Sequence, residues 1–158
     1  MTEPQTSKQF SIYLLSDRLI DALPYDYEDP AWRKILATPL PYGKVILTDM
    51  DIEAYNWEDQ EIVLTTASSQ RLPRLSEKTF IVYLGKEPVF GGSFIEQGSA
   101  RAITYPVIYV NKSKSQVVLQ IRPLHTMFEN YRQLNVKLKR RIELPDVKNH
   151  FNRLKKIK

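Results

Sequence analysis

Five consecutive apolar residues, Phe80-Ile81-Val82-Tyr83-Leu84, run without a polar break into Gly85-Lys86-Glu87, and no other stretch restricts the fold as much. An unbroken β-branched and aromatic run is how a strand buried on both faces reads. Beyond the glycine, Val89, Phe90, Phe94 and Ile95 resume the apolar character, and Pro88 falls at the start of the second run, where a missing N–H is tolerated. Thr79 to Ile95 is therefore predicted to be a β-hairpin and the core element of the sheet.

Other strands follow from periodicity. Phe10 to Leu15 places Phe10, Ile12 and Leu14 on one face and Tyr13 and Leu15 on the other, which predicts an interior strand. Glu61 to Thr66, Pro106 to Val110 and Gln116 to Arg122 supply three more, the last with Val117, Leu119 and Ile121 on one side and Gln120 and Arg122 on the other. Helical turns are predicted over Asp17 to Leu23, over Pro30 to Ala37 with Asp29 as N-cap, and over Thr66 to Leu72 before Pro73. Thr48 and Asp51 have the spacing of a capping box, which predicts a short helix starting at Thr48.

Function classes can be sorted by what is missing. Zero cysteines remove disulfides, thiol nucleophiles and thiolate metal sites. Asp49, Asp51 and Glu53 resemble the opening of a calcium loop, but Ala54 stands where glycine is needed and Gln60 where glutamate is needed. Gly85, Gly91, Gly92 and Gly98 match neither the P-loop nor the dinucleotide spacing, and paired strand glycines more often mark a bulge or a close backbone approach. No cofactor is expected. His125 and His150 have no metal-ligand spacing, although His125 with a serine and a carboxylate would make a hydrolase. Tyr25, Tyr27, Trp32 and Tyr42 could stack on sugars or bases, but a lid packed over one sheet face is the favoured reading.

Charge is uneven along the chain. Met1 to Phe128 carries 13 Lys and Arg against 15 Asp and Glu, whereas Glu129 to Lys158 carries 10 against 3. In that tail Met127, Phe128, Tyr131, Leu134, Leu138 and Ile142 recur at helical steps, while Val136, Leu138, Ile142 and Leu144 alternate equally well as a strand. A final helix over Pro145 to Lys156 sets Val147, Phe151 and Leu154 on a docking stripe. Lys137, Lys139, Arg140, Arg141, Lys148, Lys155 and Lys156 are the candidate partner-binding residues. They suit an acidic protein partner first, with nucleic acid or an anionic membrane surface as alternatives.

Between Leu47 and Val110 the succession Leu47-Thr48, Asp51-Ile52, Tyr55, Trp57, Ile62, Leu64-Thr65, Phe80-Ile81-Val82, Gly85-Lys86-Glu87, Gly92, Phe94 and Pro106-Val107-Ile108 resembles an uncharacterised family of small bacterial domains. More distantly it is similar to the first periplasmic domain of the SecD translocase subunit. The resemblance implies a compact α+β fold and carries over no catalytic residue. Met1 to Gln9 lacks the basic and apolar regions of an export signal, and no apolar run is long enough for a bilayer, so the expected location is the cytoplasm unless a signal was removed.

The resulting expectation is an α+β fold with a single antiparallel or mixed sheet of five to six strands, short helices on one face and a basic helical C-terminus. Residues 1–9 are expected to be a disordered N-terminus, 10–128 the core domain, and 129–158 a basic segment packed on the core or extending from it. The expected function is a non-enzymatic binding or accessory module, with a nucleic-acid-binding protein and an unrecognised hydrolase as alternatives.

Overall fold

The structure is a computed structural model and describes residues 8–15, 30–37, 43–126 and 129–158. Its centre is the hairpin of β5 (Thr79–Leu84) and β6 (Glu87–Phe94), in which every residue of β5 is buried and Gly85 turns the chain at φ 63°. β1 (Phe10–Leu15) pairs antiparallel with β5 on one side and with β2 (Gly43–Thr48) on the other. One 3-10 turn, Asp49–Asp51, leads into β3 (Ile52–Asn56), which pairs with β4 (Glu61–Leu64). β7 (Val107–Ser113) and β8 (Gln116–Arg122) form a second hairpin, joined to β6 through β7 and to β4 through β8.

Among the described residues the sheet has eight strands in the order β2-β1-β5-β6-β7-β8-β4-β3, and only the β6–β7 pair is parallel. That order forces curvature. Eight flat strands about 4.8 Å apart would hold β2 and β3 on the order of 34 Å from each other. Thr48 and Ile52 bracket a three-residue turn, and a fully extended stretch of that length reaches at most about 14 Å. The sheet is therefore rolled so that its two outer strands meet at the Asp49–Asp51 turn.

Rolling separates an inside from an outside by residue parity. Phe10, Ile12, Phe80, Val82, Phe94 and Leu119 join the inner cluster, while Ile81, Tyr83, Val107 and Tyr109 join an outer one. Helix α1 (Pro30–Ala37) covers the outer face with Trp32 and Leu36, and the Trp32 ring tilts against Tyr105 at 5.3 Å between centroids. α2 (Thr66–Arg71) is capped by the Thr65 hydroxyl, which accepts from the Ser68 amide. A 3-10 turn at Glu129–Tyr131 opens α3 (Arg132–Ile142), and α4 (Pro145–Arg153) follows. Val147 and Phe151 of α4 enter the inner core, where Phe151 packs edge-on to Phe10 and tilted to Tyr55, each at 5.0 Å.

Three expectations are corrected. The sheet has eight strands and not five or six, because Gly43–Thr48 and Ile52–Asn56 are strands. The capping box at Thr48 is present, but it closes a single 3-10 turn instead of a helix, since Ile52 and Tyr55 pair with Leu64 and Ile62. The helices do not share one face: Leu138 of α3 packs in the outer cluster, while Ile142 of α3 and Phe151 of α4 pack in the inner one. The segment open to a helix or a strand reading is helix α3. The expected helix at Asp17 to Leu23, the cap at Asp29 and the aromatics Tyr25, Tyr27 and Tyr42 lie outside the described residues. No helix of the described residues is long and apolar enough to cross a membrane.

Candidate binding surfaces

α3 forms because Leu134, Leu138 and Ile142 repeat every fourth residue, and burying Leu138 and Ile142 turns the other residues outward. Lys137, Lys139, Arg140 and Arg141 are all exposed on this helix, and three of them fall in its last turn, where cations complement the helix dipole. Arg141 lies along β6, its Nε 3.5 Å from the Val89 carbonyl oxygen. Val136 projects from the side opposite Leu138 and is 46% exposed. On the following segment Lys148 and Lys155 are exposed. Lys156 is not: it is half-buried, and its Nζ donates to the Asp49 carbonyl at 2.5 Å. The seven candidate cations are thus split between two helices and their C-terminal continuation, with Lys156 tied into the fold.

The continuation past α4 becomes part of the sheet. The Tyr55 amide donates to Lys156 O at 2.7 Å and the Lys158 amide donates to Tyr55 O at 3.0 Å, so the chain end runs along the outer edge of β3. Asp49 anchors the same corner, accepting from the Phe10 amide at 3.2 Å and meeting His150 Nε2 at 2.9 Å. Asp51 turns elsewhere, accepting from the Thr48 amide at 2.8 Å and from the Ser68 hydroxyl at 2.6 Å. Both carboxylates of this turn are engaged in holding elements together.

His125 is likewise enclosed. Its Nε2 lies 2.7 Å from the Ser99 carbonyl oxygen, which can only accept, so Nε2 carries a proton. Its Nδ1 lies 2.6 Å from the Tyr109 hydroxyl, whose pKa is raised by burial and lowered in part by Arg122, so the hydroxyl donates. Among the described residues neither nitrogen faces a serine hydroxyl or a carboxylate. Together with the paired main-chain bonds between Ile103 and His125, the ring fastens the loop after β6 to the sheet.

A further cavity is one the sequence did not announce. A cleft of about 680 Å³ opens between the segment after α2 and the β7–β8 hairpin. Its floor is Leu75, Phe94, Val110 and Val117, the rim of the inner core. Strand alternation then supplies its wall: Ile108 and Val110 face the inside of the roll, and the same register continues outward to Lys112. Lys112, Lys114 and Arg74 line the cleft and are exposed, against a single carboxylate, Glu96. Among the described residues none of these three cations makes an ion pair. Compared with known proteins, the chain matches no family model, no curated protein and no solved structure.

Proposed function

We propose that this protein is a non-enzymatic binding module that takes an acidic protein partner on the exposed side of its C-terminal helices. The observation that carries the reading is the outward face of α3. Val136 sits there with Lys137, Lys139 and Arg140 around it, opposite the anchors Leu138 and Ile142. An apolar side chain inside a ring of cations has the make-up of an interface centre with a polar rim. Acidic residues around one apolar anchor would complement it, and the charge would speed encounter.

The test is fluorescence anisotropy with a labelled acidic peptide bearing a central leucine, alongside a single-stranded oligonucleotide and vesicles containing phosphatidylserine. Val136→Asp and the pair Lys139→Glu with Arg140→Glu are each expected to weaken the peptide by at least tenfold at physiological salt. Tight oligonucleotide or vesicle binding that ignores Val136→Asp and falls steeply with salt would replace this reading with a purely electrostatic one.

A further inference from the structure

We propose that the cleft between the segment after α2 and the β7–β8 hairpin is a binding site for a small amphipathic anion, an apolar body ending in a carboxylate or phosphate. The volume of about 680 Å³ is in the range that holds a ligand of drug size. The mouth of a rolled sheet is where such sites form, because strand alternation can pass from core side chains to polar ones within one hairpin. Here the change falls between Val110 and Lys112 on the inward register of β7.

The two halves of the ligand match two halves of the cleft. Leu72, Pro73 and Val110 border the cavity alongside the buried Leu75, Phe94 and Val117 and keep part of their surface exposed, so an apolar body laid on them removes further apolar surface from water. Lys112, Lys114 and Arg74 stand at the wall without intramolecular ion pairs among the described residues. Hydrophobic surface alone would accept a neutral detergent, and cations alone would accept any phosphate. The pairing selects a molecule that carries both features. No residue of α3 or α4 lines this cleft, so the site is separate from the proposed protein-docking face.

The experiment is a calorimetric and NMR titration of the full chain with octyl phosphate, decyl phosphate, octanoate and octyl glucoside, all below their micelle-forming concentrations. Octyl phosphate or octanoate is expected to bind with one-to-one stoichiometry, and whichever binds more tightly identifies the head group. Decyl phosphate is expected to bind several-fold more tightly than octyl phosphate, up to about fourfold per buried methylene. Octyl glucoside is expected to be at least tenfold weaker. Lys112→Glu with Lys114→Glu, both on the exposed hairpin, is expected to lose at least tenfold, whereas Lys139→Glu with Arg140→Glu leaves the affinity unchanged. Equal binding of octyl glucoside would overturn the proposal, as would equal losses from the hairpin and α3 variants or an absence of shifts at Val110, Phe94 and Val117. Failure of the docking-face test leaves these outcomes unaffected.

Discussion

Gly92 is the position at which the fold tolerates no side chain. It lies on β6 opposite Phe80, and a Cβ placed there would stand 1.7 Å from the Pro106 carbonyl oxygen and 2.7 Å from its carbon. Restoring a 3.0 Å approach requires the two backbones to part by about 1.3 Å. The parallel junction of β6 and β7 has only two paired positions, Ser93 with Val107 and Phe94 with Ile108. Its bonds include Ser93 N to Pro106 O and Ile95 N to Ile108 O, both already 3.2 Å long. A displacement of that size breaks them and leaves buried donors unpaired, at about 1–3 kcal/mol each. Adding overpacking of about 1–3 kcal/mol, Gly92→Ala is expected to destabilise by at least about 3 kcal/mol. For a chain of this length that corresponds to a fall in Tm of roughly 8 °C or more. Gly91→Ala, whose Cβ would meet Phe80 O at 3.1 Å and Trp32 at 3.3 Å, is expected to cost an intermediate amount. Gly98→Ala meets nothing within 4 Å and serves as the control. Urea unfolding followed by circular dichroism reads the series. A Gly92→Ala midpoint equal to that of Gly98→Ala would refute the close approach and, with it, the register of the crossover.

Thr79 is fully buried and its hydroxyl has no hydrogen-bond partner among the described residues, so Thr79→Val removes a desolvated polar group at nearly constant shape and is expected to stabilise by about 1 kcal/mol in the same urea assay. A loss of stability would show that the hydroxyl has a partner. Asp49→Ala strips one acceptor from the Phe10 amide and from buried His150 together and is expected to cost about 2–3 kcal/mol. A double-mutant cycle with His150→Ala should return a coupling of about 1 kcal/mol, and strict additivity would show that the contact contributes nothing. Burial, with the Glu143 carboxylate adding to it, lifts the Tyr55 hydroxyl well above the ordinary 10.0, and burial with Tyr13 also raises Tyr83. The folded state then holds protons that the unfolded chain releases, so stability is complete below about pH 10 and declines above it by up to about 1.4 kcal/mol per pH unit for Tyr55. Urea midpoints that stay flat from pH 9 to 11.5 would contradict this.

Legibility followed the strength of local pattern. Gln116–Arg122 could be read to the residue because burial alternates along it, Phe10–Leu15 because both of its faces carry apolar side chains that pack, and Phe80–Leu84 because it is an unbroken apolar and aromatic run. The turn at Thr48 shows where local chemistry was right and its extrapolation failed. Both capping-box bonds form, yet Ile52 is fully buried against β4, and the ladder halts the helix after one turn. Paired glycines read as a close backbone approach, and Gly92 is one. The cations of the cleft carried no motif, since Arg74 is far in sequence from Lys112 and Lys114. The only trace was the alternation Ile108, Val110, Lys112, Lys114, which becomes informative once β7 is known to leave the core at its far end.

The basic tail is the feature most easily mistaken for a detachable arm, and its geometry argues otherwise. Ile142, Val147 and Phe151 are each about fully buried in the inner cluster. At about 1.5–3 kcal/mol per buried side chain, they contribute roughly 5–9 kcal/mol before the main-chain bonds at Tyr55 are counted. The whole stability of a domain is only about 5–15 kcal/mol. Removing everything after Phe128 is therefore expected to unfold the sheet, seen as loss of the cooperative urea transition and of dispersed NMR signals. Loss of partner capture in such a truncation would say nothing about charge. Lys139 and Arg140 stand on the same helix as Ile142 but are exposed, so reversing those charges separates binding from folding. A truncated chain that still unfolds cooperatively within about 2 kcal/mol of the full protein would show instead that the tail is an accessory to the roll and not one of its walls.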